Sequence, residues 1–263
     1  MRNLKNLVYD YSIRARDLTV IAIMTPFLIK NHKEYNQFKK TSKIDETFII
    51  ELKNGLKIKF RRQDIFIIDE LIVRGEYLKY LNKDLKGKNI VDIGANIGCF
   101  SLQAAWSGAK VFSVEASTIN YNLLCENIAL NKLEDKITAS HMAIWKENGQ
   151  LTFNASSSNP GTGSLVYTTS KDSEVVQCKN MDTFINELPV PSIDILKIDI
   201  EGAEFEVLPV LSKSALDKIK IMVGEYHQNP DFPEHNFAKI KDLLKENFEV
   251  TKEGFSLFYA KAK

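Results

Sequence analysis

The sequence predicts an α/β fold built on one mostly parallel sheet with helices on both faces. Three observations carry that expectation. From residue 89 onward, runs of strand character alternate with helical ones, the pattern of a parallel sheet covered on both sides. The first of these strands enters a loop with two glycines, Val91-Asp92-Ile93-Gly94-Ala95-Asn96-Ile97-Gly98, which opens a helix. The chain closes on FEVTKEGFSLFYAKA, two strand-like runs around Lys252-Glu253-Gly254, which adds an antiparallel strand at the end.

The chain begins differently. Residues 1–43 hold nine Lys/Arg against three Asp/Glu, a surplus of +6 in a protein whose formal net charge is +1. Within them Leu18 to Ile29 (LTVIAIMTPFLI) is uncharged, mostly apolar and twelve residues long, against the roughly 20 needed to span a bilayer. Pro26 is expected to break or kink a helix there. Two readings stand: a helix docked on the main domain, or a peripheral membrane anchor with Lys30, Lys33, Lys39 and Lys40 beside its apolar face, covering residues 18–40. Residues 1–45 are read as an N-terminal helical extension.

TFIIELKNGLKIKF (47–60) places Asn54-Gly55 between two β-rich runs, the signal of a hairpin closed by a two-residue type I′ turn. Ile65 to Leu81 shows apolar residues at helical spacing, broken at Gly75. Then come the strand NIVDIG, a helix over Ile97–Trp106, the strand AKVFSVE, a helix over Asn120–Leu130 and the strand KITASHMAI. Residues 151–154 and 175–178 read as an inserted ribbon around the loop SSSNPGTGS. A short helix (Met181–Leu188), the strand SIDILKID, a helix (Ala203–Leu211), the strand KIKIMVGEYH and a helix (Phe237–Asn247) follow.

With 263 residues, 44% hydrophobic and 26% charged, the chain can bury one sizeable core. A net charge near zero argues against nucleic acid as the main partner. Cys99, Cys125 and Cys178 form no metal or disulfide pattern and fit a reducing compartment. The apolar stretch starts late and lacks a small-residue cleavage pattern, so no secretory leader is expected. The expected location is cytoplasmic, with peripheral contact at a membrane as the alternative.

The glycine loop lets the chain turn and a ligand approach at Gly94, and lets the helix pack closely at Gly98. Such a loop serves nicotinamide and S-adenosylmethionine enzymes alike. Asp92 at the strand end would repel a pyrophosphate. S-adenosylmethionine has no phosphate and carries a sulfonium and an ammonium, so acids around the loop favour it. Glu115 ends the next strand, where an acid can accept both ribose hydroxyls. A second constellation, Ile195-Leu196-Lys197-Ile198-Asp199-Ile200-Glu201-Gly202-Ala203-Glu204, puts three acids at the ligand-binding end of the fourth strand. The next strand delivers Glu225, Tyr226 and His227 to the same edge.

At these residues the sequence resembles the FkbM family of methyltransferases. VDIGANIGCFSL, VFSVEAS, SNPGTGSL, DILKIDIEGAEFEVL and GEYH follow that family's order and spacing, and KIDIEGAE is the most specific. The Asn54-Gly55 hairpin and the segment ending in Glu76-Tyr77 fit the region before its glycine loop. The resemblance covers residues 46–263, with a core over 88–263. It implies a class I Rossmann-like fold of seven strands in the order 3-2-1-4-5-7-6 and S-adenosyl-L-methionine as cofactor. Methyl transfer would go to a hydroxyl of a sugar, glycan or other secondary metabolite. By match, Asp92, Gly94, Asn96 and Gly98 form the cofactor loop, Glu115 binds ribose, Met142 and Ala143 lie beside adenine, and Tyr77 joins the set. His141-Met142 stands where an acid or polar group often meets the adenine amine, so backbone atoms would make that contact.

The expected reaction is in-line attack of a substrate oxygen on the sulfonium, helped by positioning and by a base. Asp199 and His227 are the candidate bases, with Glu201 and Glu204 shaping the acceptor site or caging a cation. Two rivals stand: a nicotinamide oxidoreductase, disfavoured by Asp92, and a methyltransferase fold that binds without catalysing.

Overall fold

The computed structural model describes residues 18–81, 84–155, 165, 172–228 and 231–263, and the chain divides into two compact units, 1–82 and 83–263. The hairpin thus groups with the N-terminal unit rather than with the domain expected to begin at residue 46.

In the first unit, helix α1 (residues 18–28) is followed by α2 (His32–Thr41) and the antiparallel pair β1 (Thr47–Glu51) and β2 (Lys57–Arg61). Pro26 lies in the last turn of α1, which ends two residues later. Tyr35, Phe38, Phe48 and Phe60 form the unit's aromatic centre, with ring centroids 5.1–6.1 Å apart. The hairpin forms as expected, but its turn is not type I′. Gly55 N–H donates to Leu52 O at 2.9 Å and Leu52 N–H to Leu56 O at 2.8 Å, leaving three residues in the loop. Only Gly55 (φ 92°) takes positive φ, because the Asn54 side chain instead accepts the Leu56 N–H. Beyond a 3₁₀ turn at Arg62–Asp64, the single turn α3 (Ile65–Ile67) widens into a π-helical stretch, Ile68–Arg74. Gly75 (φ 67°) ends it in the left-handed conformation, and α4 (Leu78–Leu81) follows.

The second unit carries the sheet. Its elements are β3 (Asn89–Ile93), α5 (Cys99–Trp106), β4 (Lys110–Glu115), α6 (Thr118–Leu130) and β5 (Ile137–His141). Then follow β6 (Ala143–Trp145), β7 (Gly149–Ala155), β8 (Asp172–Asn180), α7 (Met181–Glu187), β9 (Ile195–Ile198), α8 (Glu204–Val207) and α9 (Lys213–Leu216). β10 (Ile221–Glu225), α10 (Phe237–Leu244), β11 (Phe248–Glu253) and β12 (Leu257–Ala262) close the chain. Seven strands pair in the order β11-β12-β10-β9-β3-β4-β5, and β12 runs antiparallel to both its neighbours. Numbered along the chain, that is the order 3-2-1-4-5-7-6 anticipated from the resemblance.

The inner strands are buried on both faces, which is why they read as mostly apolar runs. Val91, Ile93, Leu196, Ile198 and Met222 pack there with no exposure. The ribbon forms as β7 against β8, while the loop SSSNPGTGS (156–164) lies outside the described residues. KITASHMAI is not one strand. At Met142, whose N–H donates to Glu115 O at 3.1 Å, the chain leaves the main sheet and β6 joins β8 in a separate three-stranded sheet.

Candidate active site

Two strands set the site's base. Asp92 of β3 and Lys197 of β9 are cross-strand register partners, as are Asp92 and Ser113 of β4. A charge in a run buried on both faces is costly unless paired. Here Lys197 Nζ lies 3.3 Å from Asp92 Oδ1 and 3.5 Å from Asp199 Oδ2, and it donates to Gly94 O at 2.8 Å. Ser101 Oγ donates to Asp92 Oδ2 at 2.6 Å and shares a hydrogen bond with Ser113 Oγ. Burial alone would push the Lys197 amine down; the Asp92 and Asp199 carboxylates overcome it and hold the amine above the ordinary lysine range.

The Asp92 side chain is fully buried and turned to Lys197 and Ser101. Its link to the glycine loop runs through Lys197, which donates to Gly94 O. The argument that Asp92 repels a pyrophosphate also loses force, because Lys197 neutralises it. Lys197 escaped the sequence reading, although a lysine inside ILKI was the available signal.

Gly94 (φ 77°) is needed for a reason the sequence did not reveal. A Cβ there would stand 1.8 Å from Asp199 O, so the glycine admits the neighbouring strand's backbone rather than a ligand. A Cβ on Gly98 (φ 92°) would meet Leu124 Cδ1 of α6 at 2.5 Å, so the close packing is against that helix rather than against the strand. Asn96 takes φ 52° and sends its N–H to Glu115 Oε2 at 2.7 Å. Glu115 Oε1 accepts the Ser117 N–H at 2.9 Å. Burial raises the Glu115 carboxyl; the two amides and Lys197 pull the other way.

Met142 spends its N–H on Glu115 O, and Ala143 is buried under the ribbon beside Phe153 and Cys178. His141 stacks on Tyr121, with centroids 4.9 Å apart. Tyr77 belongs to the first unit, where it is buried with its ring 6.5 Å from that of Tyr80.

The acids after β9 wrap one another. Glu201 (φ 54°) and Gly202 (φ 98°) turn the chain left-handed, so that Ile200 N–H and Gly202 N–H both donate to the buried Glu204 carboxylate at 2.9 Å. The same carboxylate takes His227 Nδ1 at 3.0 Å. His227 Nε2 then faces Glu201 Oε2 at 3.5 Å and Asp199 Oδ1 at 3.8 Å. The structure thus brings Asp199, Glu201, Glu204 and His227 together at the C-terminal ends of β9 and β10. Burial pulls the His227 imidazole down, but Glu204, Glu201 and Asp199 outweigh it and raise its pKa well above the usual histidine value. Glu201 is pushed up to about 8 by burial, with the charges of Asp199, Glu204 and Glu225 adding to the rise and His227 opposing it. Asp199, Glu201 and His227 also offer three potential cation ligands within 4.8 Å of one another.

Strand order and a glycine loop at the β3 end define a class I methyltransferase fold. The chain belongs to the FkbM methyltransferase family: the sequence model of the methyltransferase FkbM domain matches residues 92–256. Methyltransferase sdnD of Sordaria araneosa is 26% identical over 197 residues, covering 62% of this chain and 74% of that protein. Hexuronic acid methyltransferase AglP of Haloferax volcanii is 24% identical over 217 residues, covering 81% and 87%. The solved methyltransferase FkbM of Methylobacillus flagellatus KT overlays with a TM-score of 0.47 at 12% identity, over 76% of this chain and 54% of that one. The protein is a methyltransferase.

Proposed function

We propose that this enzyme uses S-adenosyl-L-methionine to methylate a hydroxyl oxygen of a sugar, glycan or other secondary metabolite, in a reducing cytoplasmic compartment. The observation that carries the reading is the cluster at the ends of β9 and β10, where Asp199 faces a histidine fixed by a buried carboxylate. The donor set fits the cofactor. With Lys197 and His227 both charged, Asp92, Glu115, Asp199 and Glu204 still leave the strand ends acidic, which suits a sulfonium and an ammonium better than a pyrophosphate. Glu115 keeps unused lone pairs on both oxygens for ribose hydroxyls, since each takes one amide.

When bound, S-adenosylmethionine supplies an electrophilic methyl group. The chain's own part is to orient the acceptor and take its proton. His227 is held protonated and occupied by Glu204, so Asp199 is the better placed proton acceptor. His227 stands beside it as a cation that steadies the carboxylate and the oxygen losing its proton. A hexuronic acid acceptor, as in the name of the Haloferax volcanii relative, belongs to the proposed class. Free thiols at Cys99, Cys125 and Cys178 suit the reducing compartment.

A thermal-shift comparison tests the reading. S-adenosylmethionine and its demethylated product should both raise the melting temperature, and NAD(H) should not. Stabilisation by NAD(H) alone would overturn it. Methyl transfer from labelled cofactor to a panel of glycosides then separates sugar from other hydroxyl acceptors.

A further inference from the structure

Helix α1 has two apolar sides. Thr25 is buried and Ile21 and Leu28 are half-buried on one of them. On the other, Val20, Ile23, Met24 and Phe27 are exposed, Ile23 by 56% and Phe27 by 70%. Their spacing is i, i+3, i+4, i+7, which at 3.6 residues per turn is one continuous stripe about 100° wide. Among the described residues no helix is long and apolar enough to cross a membrane.

Cations gather where the helix ends. Lys30 lies two residues beyond its end and remains 62% exposed while paired with Glu51. Lys53 sits in the hairpin turn, with its N–H on Leu28 O at 2.9 Å. Lys33 is exposed at the start of α2, with Glu34 the acid beside it. Residues 1–43 as a whole, Lys30, Lys33 and Glu34 included, carry a surplus of +6. An apolar stripe flanked by lysines matches a surface that is apolar below and anionic above. A second copy of the chain would cover the apolar stripe but gives no role to the lysines gathered at the helix end.

We propose that the Val20–Ile23–Met24–Phe27 stripe docks the protein on an anionic lipid surface. The helix lies in the headgroup region and the lysines at its end meet lipid phosphates. The docking is independent of which hydroxyl accepts the methyl group.

Cosedimentation of the full chain with vesicles tests this. Binding is expected to phosphatidylcholine vesicles containing a quarter phosphatidylglycerol, and not to phosphatidylcholine alone. It should fade toward 1 M salt, where the screening length is about 3 Å. Ile23→Glu/Phe27→Glu replaces two exposed side chains, so the far-ultraviolet spectrum and melting temperature should hold while partitioning falls at least about tenfold. Failure of the natural protein to bind anionic vesicles at low salt would overturn the proposal without recourse to any variant. Equal binding by the double variant would overturn it too, as would a vesicle-free dimer that the same variant dissociates.

Discussion

His227 donates a hydrogen bond from Nδ1 to the buried carboxylate of Glu204 at 3.0 Å, and this bond decides what the ring can do at the site. Glu204 is itself fixed by the N–H groups of Ile200 and Gly202, so the imidazole is anchored to the loop that follows β9. Its other nitrogen is thereby turned toward Asp199 and Glu201. Glu204, expected to shape the acceptor site or cage a cation, is buried and holds the ring in place. A Glu204→Gln variant keeps the volume but must offer an amide to one of three donors, leaving a buried donor unpaired.

Asp199→Asn and His227→Ala should each cost at least about tenfold in turnover, with the larger loss at Asp199. The reason for the order is protonation: the histidine already holds its proton, and the aspartate is the acceptor beside it. Both losses should fall on kcat more than on cofactor affinity, since the interaction forms mainly in the transition state. Steady-state kinetics with calorimetric affinities checks this. A larger loss at His227 would move the base to the histidine.

Glu115→Ala should weaken S-adenosylmethionine binding by roughly 1.5–3 kcal/mol, the value of a charge-assisted hydrogen-bond acceptor. The fold will not be untouched, because Glu115 also takes the amides of Asn96 and Ser117 and so ties down the loop. Glu115→Gln separates the two effects: it retains an oxygen for one amide and loses the charge. Calorimetry showing unchanged affinity in both variants would remove Glu115 from the ribose site.

The sheet was legible because its inner strands are buried on both faces and read as mostly apolar runs, as in NIVDIG and DILKID. The meeting of Asp199 with His227 followed from strand order alone. What stayed hidden needs register and side-chain direction. No pattern along the chain places Lys197 opposite Asp92, or Asp199 O against the missing Cβ of Gly94. The three-residue hairpin loop was missed, and a type I′ turn expected in its place, because Asn54 uses its side chain locally, a choice a dipeptide rule does not weigh. The chain's departure from the main sheet at Met142 was missed because KITASHMAI has no turn residue to mark it.

Lys197→Met should destabilise the protein by about 3–5 kcal/mol, because it leaves the Asp92 carboxylate buried without its cation. Adding Asp92→Asn should recover much of that loss, since the uncompensated charge is gone. Cofactor affinity should stay low in the double variant, as Gly94 O still lacks its donor. Denaturant unfolding of both singles and the double measures the coupling. Simple additivity of the two losses would show that the pair at 3.3 Å contributes nothing as a pair.

The last prediction concerns pH. Glu201 is held up to about 8 against an ordinary 4.5, first by burial and then by its acidic neighbours, with His227 opposing. Between those two values the folded protein keeps a proton that the unfolded chain has released, so stability must fall as pH rises through that window. His227 acts in the same direction. Its raised pKa contributes stability that is complete below the ordinary histidine value and is lost as pH climbs through the folded one. Glu201→Gln cannot ionise, and Glu204, the strongest support of the His227 charge, remains in place. The variant should therefore melt close to the natural protein near pH 4.5 and above it near pH 8. A quarter of the Glu201 side chain is exposed, which screens part of the effect. Each 1 kcal/mol that survives should appear as about 2–4 °C in a chain of this size. Melting curves of both proteins across that range give the answer. A difference that is constant with pH would show that the Glu201 carboxyl titrates alike in folded and unfolded chains, and a difference of opposite sign would place its folded pKa below the ordinary value.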